Sequence, residues 1–325
     1  MIDLVAEQGP LGGLQRWLAD PDVTEVLVNA GSEVWVERHG RLEAVGTMRT
    51  HTVLAVLEHL LAPIGRRLDR AHPYVDSRLP DGSRLCAAIP PVAVDGPCLA
   101  IRRFRSAPID LRSFATEPVA DLLVEIVRGR CNVVVSGATS SGKTTMLDAL
   151  LRHLEPTARV ITLEDVAELR PRHAHLVRLE TREASPEGVG EVSLEHLLRT
   201  ALRLRPDRLV VGEVRGGEAV HLLQALNTGH DGSLCTVHAN APQDALHRLA
   251  SLVLQEAPGW SLPAVHHHVA RAVDVVVHLT RGEDGDRHVD EIAEVAPPGL
   301  HMAALEARTL ATGTAVVDTL TRARR

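Results

Sequence analysis

Lysine is almost absent from this chain of 325 residues, whose 35 lysines and arginines include a single lysine, Lys143. The four cysteines are scattered without Cys-x-x-Cys spacing, which argues against a disulfide framework and a zinc module and fits a reducing cytoplasm. No apolar run approaches the roughly 18 residues of a membrane span, and no basic start precedes an apolar stretch. The net charge of −7 argues against a general nucleic-acid-coating surface. These absences predict a cytoplasmic chain without a transmembrane segment.

The most informative stretch is residues 131–145, where a short β-branched run ends in a glycine-rich turn that opens a helical pattern. Gly137, Gly142, Lys143 and Thr144 fit the pattern G-x-x-x-x-G-K-[ST] in the strand–loop–helix context that it requires. Lys143 is expected to reach the β- and γ-phosphates of a nucleotide, and the Thr144 hydroxyl to ligate Mg²⁺. The compact ammonium of the single lysine is not interchangeable with the arginine that the chain uses elsewhere.

The glycines of this stretch let backbone N–H groups close around a phosphate, and the following helix N-terminus adds a favourable dipole. The alternative is an ordinary Gly-Ser turn before a helix. The residues predicted to contact the nucleotide are Gly137, Ala138, Thr139, Ser140, Ser141, Gly142, Lys143, Thr144 and Thr145.

The apolar pattern predicts two domains. Residues 1–105 combine short strands with helical segments and predict a small α+β domain, with a hairpin at Asp81-Gly82. Residues 106–117, bordered by prolines, are predicted to form a linker. From residue 118 to residue 325, strands alternate with helices, which predicts an α/β domain with a parallel sheet. Its strands are predicted at 131–136, 159–163, 208–211, 233–237 and 273–277, and its helices near 194–204, 216–227, 242–255 and 261–271.

Three of these strands run into functional groups: Glu164 follows the second strand, Glu213 the third and His238 the fourth. Ligands of open α/β sheets bind outside the carboxyl ends of the strands, so parallel strands would place these groups beside the phosphate loop. Glu213 could orient Mg²⁺ or polarise the attacking water, and Glu164 competes for the water and the metal. His238 could hydrogen-bond the γ-phosphate, although a lone histidine after a strand is more often structural.

Arginines cluster at the predicted domain junction. Arg102, Arg103 and Arg105 lie close together in sequence, and strand alternation would place Arg103 and Arg105 on one face. They could act on nucleotide phosphates, or they could line a solvated edge strand. The run His266-His267-His268 cannot converge on one metal ion if it is helical, and a helix surface is the favoured interpretation.

Four ordered motifs resemble the type II/type IV secretion ATPase family. Residues 137–145 match its Walker A loop, 161–168 resemble its acidic box, 204–219 its unusual Walker B with Gly-Glu, and 228–240 its histidine box. Shorter stretches at 81–84, 89–91 and 101–104 resemble the N-terminal domain of the tight-adherence pilus and conjugation-associated branch. The retraction-motor signature Ala-Ile-Arg-Asn-Leu-Ile-Arg and the tetracysteine zinc module of many extension motors are both absent.

The resemblance implies a PAS-like N-terminal domain, a RecA-like ATPase domain and a homohexameric ring that binds ATP and Mg²⁺ between the two. It implies that Arg84, Arg102 or Arg105 reaches the nucleotide and that Arg215 lies near it. It further implies a motor for pilus assembly or secretion, peripheral at the inner face of the cell membrane, with a platform protein as partner. The net charge of −7 argues against direct binding of nucleic acid. Val166 stands where many members carry proline, which is a local departure.

Other functions remain open at this point. A DNA-transfer motor would keep the same fold. A P-loop small-molecule kinase would leave the histidine-box stretch unexplained, and a structural ring would lack a working Glu213. A GTP switch is excluded by the absence of a second lysine, because its Asn-Lys-x-Asp motif cannot be present.

Overall fold

The computed structural model describes residues 2–3, 9–29, 33–103, 109–182, 184, 189–282, 284–298 and 304–322, and contacts divide the chain into two units, Met1–Ala107 and Pro108–Arg325. Each unit has a β-sheet and a buried apolar core. Within the described ranges, no helix combines the length and the hydropathy needed to cross a bilayer.

The first unit is an antiparallel sheet with two helices in its described residues. Its elements are β1 (Ile2–Asp3), α1 (Leu14–Ala19), β2 (Val23–Asn29), β3 (Glu33–Arg38), β4 (Arg41–Thr47), α2 (Thr50–Leu61), β5 (Tyr74–Arg78), β6 (Arg84–Ala88) and β7 (Cys98–Arg102). The strand order is β1-β4-β3-β2-β7-β6-β5, and only β1 pairs in parallel. Val26 and Val28 of β2 are fully buried, as are Val34 and Val36 of β3, because alternate residues of a strand share one face.

The predicted hairpin at Asp81-Gly82 joins β5 to β6. Gly82 has a φ of +93°, a left-handed conformation that glycine adopts without steric cost. The turn closes through Leu79 N, which donates to Ser83 O at 2.7 Å, and Gly82 N, which donates to Leu79 O at 2.8 Å.

The second unit is a mixed α/β sheet. Its elements are α3 (Glu117–Arg128), β8 (Val133–Gly137), α4 (Lys143–Leu151), β9 (Val160–Glu164), β10 (Leu176–Glu180), α5 (Leu194–Ala201), β11 (Arg208–Val211), α6 (Glu218–Leu226), β12 (Leu234–His238), α7 (Pro242–Glu256), α8 (Leu262–Ala272), β13 (Val275–Arg281), β14 (Arg287–Val295), β15 (Ala307–Thr312) and β16 (Ala315–Val316). The strand order is β10-β9-β11-β12-β8-β13-β14-β15-β16. The strands from β10 to β13 are parallel, and β14 to β16 extend the sheet in antiparallel fashion.

Both faces of this sheet are covered. Val133 and Val135 of β8 belong to a buried cluster with residues of α3 and α4, whereas Val134 belongs to a second cluster with residues of α5 to α8. Alternate residues of a strand point to opposite faces, so the sheet lies between two helical layers. Parallel strands buried on both faces are apolar along most of their length, and β8 begins with three valines before Ser136 and Gly137.

The predicted α/β class is confirmed, with two differences. The sheet is mixed rather than parallel throughout, because the chain turns back after β13 into three antiparallel strands. The segment predicted as a linker, 106–117, is partly packed into the second unit: Leu111 and Phe114 are buried there, and Val289 N donates to Phe114 O at 2.8 Å. Apolar burial outweighed the proline signal at this point.

Candidate active site

Gly137 ends β8 and opens the phosphate loop at the carboxyl edge of the parallel strands. In the sheet register it lies opposite His238 of β12 on one side and Leu279 of β13 on the other. Its φ is +152°, and a Cβ atom would lie 2.5 Å from the Leu279 carbonyl oxygen and 2.5 Å from Ser141 Oγ. Glycine is therefore required, because a larger residue would overlap the backbone of the neighbouring strand.

Helix α4 starts directly after this loop. Ser140 has a φ of +62° and Gly142 a φ of +95°, and these left-handed residues turn the chain into the helix. The first turn contains Lys143, Thr144 and Thr145. The N–H groups of a first helical turn have no carbonyl four residues back within the helix, so this end of α4 offers donors and a positive dipole to an anion.

Lys143 is buried, with 7% of its surface exposed, and its ammonium lies inside the loop. Nζ donates to Gly137 O at 3.0 Å and to Ala138 O at 2.7 Å. It also lies 3.4 Å from Nδ1 of His238. The lysine is thus held by the carbonyl groups of the loop and faces the histidine that follows β12.

Glu213 and His238 form the centre of the site. Oε1 of Glu213 lies 2.9 Å from Nε2 of His238, and its Oε2 accepts from Nη2 of Arg215 at 2.6 Å. A continuous polar contact therefore runs from Lys143 through His238 and Glu213 to Arg215. Arg215 Nη1 continues it to Asp165, at 3.9 Å from Oδ2.

The surrounding charges and burial determine the protonation states of Glu213 and His238. Burial alone would raise the pKa of Glu213. The hydrogen bond and charge of Arg215, together with the charges of His238 and Lys143, outweigh burial, so the pKa is lowered and the carboxylate is ionised. Burial also lowers the pKa of His238, and the charges of Lys143 and Arg215 add to this against the opposing pull of Glu213. A neutral imidazole can donate through Nε2 to Glu213 while Nδ1 accepts from Lys143.

Glu164 is buried more deeply, with 2% of its surface exposed. Its Oε1 accepts from Glu168 N and Leu169 N, both at 2.9 Å, so this oxygen fixes the loop after β9. Oε2 is buried and has no hydrogen-bond partner among the described residues. Burial raises the pKa of Glu164 to about 7, against the two backbone hydrogen bonds that lower it.

Gly212 explains the Gly-Glu sequence after β11. A Cβ atom at Gly212 would lie 2.9 Å from Cγ of Glu164, so a larger residue would push the carboxylate away. The backbone is held on both sides: Gly212 N donates to Leu163 O at 2.8 Å, and Thr236 Oγ1 donates to Gly212 O at 2.6 Å. The two carboxylates are therefore packed at the ends of adjacent strands.

Arg84 and Arg102, two of the arginines predicted to reach the nucleotide, belong to the first unit, whereas the phosphate loop belongs to the second. Arg84 of β6 lies opposite Arg102 of β7 in the first unit, and its Nε donates to Asp76 Oδ1 at 3.0 Å. Arg103 donates through Nη1 to Asp20 O and, at 3.0 Å, to Val23 O, so it ties its own unit together. Arg105 lies outside the described residues.

Two contacts of the site were not predicted from the sequence. Glu218 is buried at the start of α6, where its Oε1 accepts from Arg215 N and, at 2.8 Å, from Gly216 N, and so fixes the loop that carries Arg215. A Cβ atom on Gly142 would lie 3.0 Å from Arg287 Cδ and 3.1 Å from Phe114 Cε1, which makes these two side chains the outer wall of the phosphate loop. The acidic residue at a helix start was the available signal for Glu218.

The donor set suits Mg²⁺ that arrives with a nucleotide. The described residues contain no group of three or more histidine, cysteine or acidic side chains able to hold a metal ion. Mg²⁺ bound with nucleotides usually needs only one or two protein ligands besides phosphate oxygens and water. Thr144 on α4 has a hydroxyl that could bind the ion. At the same sheet edge, Glu164 has an oxygen, Oε2, without a hydrogen-bond partner among the described residues, and Glu213 has an ionised carboxylate.

These features define the class of protein. A glycine loop between a central parallel strand and a helix N-terminus, with carboxylates at the ends of the next strands, is a P-loop nucleotide-binding domain. The family model described as type II/IV secretion system protein matches residues 7–315, and the chain belongs to that family.

Similar proteins agree with this assignment. The Mycobacterium tuberculosis H37Rv protein Rv3659c, named for conjugal transfer, is 43% identical over 87% of this chain and 83% of its own length. The type IV secretion system protein VirB11 of Brucella suis is 31% identical over 86% of this chain and 87% of its own length. The crystal structure of the pilus retraction motor PilT with bound ADP has a TM-score of 0.64 at 20% identity, covering 90% of this chain and 84% of that one.

The fold similarity confirms the predicted RecA-like P-loop fold of the second unit, which follows a small N-terminal α+β domain in the sequence. The family membership and the sequence relatives place the chain among the type II/IV secretion and conjugal-transfer proteins, as the motifs predicted.

Proposed function

We propose that this chain hydrolyses ATP with Mg²⁺ at the loop between β8 and α4 and uses the energy to drive secretion, conjugation or pilus assembly. The observation that supports this best is the contact series Lys143–His238–Glu213. It joins the phosphate-binding lysine to an ionised carboxylate through one neutral imidazole, at 3.4 Å and 2.9 Å.

Residues 137–145 bind the phosphates in this proposal. The first turn of α4 donates backbone N–H groups, and Lys143 exchanges its hydrogen bonds to Gly137 O and Ala138 O for oxygens of the β- and γ-phosphates. Thr144 and the carboxylates of Glu213 and Glu164 are the residues that would hold Mg²⁺. When bound, the ion neutralises charge that develops on the phosphate oxygens.

Glu213 is the better candidate to activate the attacking water. It is ionised, and it is oriented by two partners, whereas Glu164 has a pKa of about 7 and uses one oxygen to hold the loop after β9. Its link to His238 also brings it next to Gly137, which lies opposite His238 in the register. Binding of the γ-phosphate would draw Lys143 away from His238, and transfer of the γ-phosphoryl group to water would let it return, so the imidazole can report whether the γ-phosphate is present.

The remaining proposals rest on the family. Arg84, Arg102 or Arg105 of the first unit would contact the nucleotide, and Arg215, which forms an ion pair with Glu213, would lie near it. The chain would form a homohexameric ring at the cytoplasmic face of the membrane and dock on a membrane platform protein. A role in DNA transfer is supported by the conjugal-transfer name of the 43% identical relative, and the small-molecule kinase finds no support in the similar proteins.

The test compares ATP turnover by the wild type, Lys143→Ala and Glu213→Gln, together with binding of a fluorescent ADP analogue and mass by light scattering. Lys143→Ala should lose both binding and turnover, with turnover falling on the order of 10³-fold. Glu213→Gln should keep binding and lose turnover by roughly 10²-fold or more. Turnover that survives both substitutions would refute the proposed site.

Exposed Arg199 pairs with Glu195 on α5 and offers a matched control. Arg199→Ala removes a similar ion pair away from the phosphate loop, so it should turn over ATP as the wild type does. An ATP-dependent increase to the mass of six chains would support the ring, and phosphate transfer to a small acceptor would contradict the motor.

A further inference from the structure

Beneath the phosphate loop lies a buried histidine that the proposed reaction does not use. His278 of β13 has 3% of its surface exposed, and its Nδ1 lies 2.9 Å from Oγ of the fully buried Ser136 in β8. Ser136 directly precedes Gly137, the first glycine of the loop. A buried hydroxyl and imidazole of this kind are costly unless they are paired, so their presence in two neighbouring strands of the buried sheet calls for a reason.

The position of the pair in the sheet suggests that reason. In the register, Ser136 lies opposite His278 on one side and Val237 on the other. The imidazole also forms a hydrogen bond with the backbone of Asn240, two residues after His238. One ring therefore links the segment that leaves β12 to the strand that carries the phosphate loop.

The protonation state of His278 fits this bridge. Burial lowers its pKa against the charges of Asp290, Glu291 and Asp244, so the ring is neutral and has one donor and one acceptor. With Nδ1 on the Ser136 hydroxyl, the Ser136 O–H donates to the ring and the other nitrogen faces Asn240. Both polar ends of the ring are thus used.

We propose that His278 is a positioning residue for the ATP site: through Ser136 it fixes the start of the phosphate loop, and through Asn240 it fixes the segment that carries His238. This inference rests on the proposed function for its effect on catalysis, but the two contacts can be tested without it. His278 does not touch the reacting groups; it acts through the two segments that hold Lys143 and His238.

Two conservative variants separate the contacts. The amide of His278→Asn can replace Nδ1 and keep the contact to Ser136, while it is too short to reach Asn240. The longer amide of His278→Gln can replace the other nitrogen and keep the contact to Asn240. The control is His288→Asn, because His288 is exposed on the neighbouring strand and bonds only to the Thr280 hydroxyl among the contacts described here.

Hydrogen exchange read by mass spectrometry is the first measurement. The Asn variant should exchange faster than wild type over residues 238–241, and the Gln variant over residues 137–142, with the control unchanged. If both variants exchange like the wild type in both segments, or equally faster in both, the proposal is overturned, since a ring that only fills space would behave in that way.

Kinetics provide the second measurement. The Asn variant should lower kcat on the order of 10-fold with KM nearly unchanged, because His238 loses its support, and the Gln variant should raise KM more than it lowers kcat. Equal effects of both variants on kcat and KM would contradict the bridge. A wild type without ATP turnover would refute the proposed function, and the exchange pattern would still decide the role of His278.

Discussion

At the amino edge of the parallel strands, Asn132 uses both ends of its side-chain amide: Nδ2 donates to Ala272 O at 2.7 Å, and Oδ1 accepts from Gly232 N at 2.8 Å and Ser233 N at 3.1 Å. At the carboxyl edge, Glu164 Oε2 and Ser141 Oγ are buried with no hydrogen-bond partner in the described residues. The Asn132 amide is therefore tied into the fold at both ends, whereas Glu164 and Ser141 at the carboxyl edge each have a buried oxygen that could meet a ligand.

Backbone geometry shows the same contrast. The loop at the carboxyl edge contains Ser140 at a φ of +62°, a conformation that is uncommon for residues other than glycine. The amino edge instead collects charges that neutralise each other, such as Asp274 with 1% exposure and Arg322 at 2.9 Å. At the amino edge, Asn132 and the Asp274–Arg322 pair hold chain segments together, whereas at the carboxyl edge the oxygens of Glu164 and Ser141 that have no hydrogen-bond partner in the described part of the chain suit a ligand.

Asn132→Ala should produce the largest change of stability. It leaves the buried N–H groups of Gly232 and Ser233 unpaired, so the free energy of unfolding should fall by roughly 2–4 kcal/mol. ATP turnover per folded molecule should stay the same, because the residue lies at the far edge. Chemical denaturation and active-site titration measure the two effects. A variant that loses turnover and keeps its stability would break the comparison between the edges.

Glu164→Gln should have a pH-dependent effect on stability. The folded pKa of about 7 lies above the reference value of 4.5, so the folded state binds more protons between these values and the wild type loses stability as the pH rises through this window. The loss amounts to roughly 3–4 kcal/mol, since the pKa differs by about 2.5 units between the two states and each unit corresponds to about 1.4 kcal/mol.

The glutamine variant cannot ionise, so it should gain stability over the wild type at pH 8 and lose that advantage at pH 5. Thermal unfolding at both values measures the difference. A variant that is equally stable relative to the wild type at both pH values would show that Glu164 titrates normally.

Arg215→Ala should have the smallest effect. Its ion pair with Glu213 has 55% of the arginine side chain exposed, and exposed pairs contribute about 0–1 kcal/mol. Turnover at pH 8 should fall only about threefold. Arg215 holds the pKa of Glu213 down, so its removal should raise that pKa and shift the acid limb of the pH–rate profile upward. An unshifted acid limb would mean that Glu213 is not the group that titrates in the reaction.

Much of the carboxyl edge could be predicted from the sequence. The strand bounds 208–211 match β11, and Glu164, Glu213 and His238 do lie at the ends of neighbouring strands, because β-branched runs and parallel connections leave few alternatives. The hydrogen bonds that distinguish the two glutamates could not be predicted. They depend on how the loops after β9 and β11 fold back, which no local pattern encodes.

Other parts of the fold lacked a local signal. The edge strand β10 and the antiparallel strands β14 to β16 were not predicted, because strands of mixed burial at the side of a sheet alternate only weakly. Leu111 and Phe114 were assigned to a linker because prolines flank them, although their side chains pack into the second core. The role of His278 could not be predicted either, since Ser136 meets it across 142 positions of sequence.

Because the one lysine of the chain is buried in the phosphate loop, proteolytic cleavage after it can report on the opening of this loop. A protease that cuts only after lysine has one bond to attack, the bond after Lys143, in the first turn of α4. That bond becomes accessible only when the phosphate loop opens, so the rate of appearance of two fragments, residues 1–143 and 144–325, measures opening directly. A nucleotide that binds the loop should slow the cut, and this assay detects it without labels or turnover.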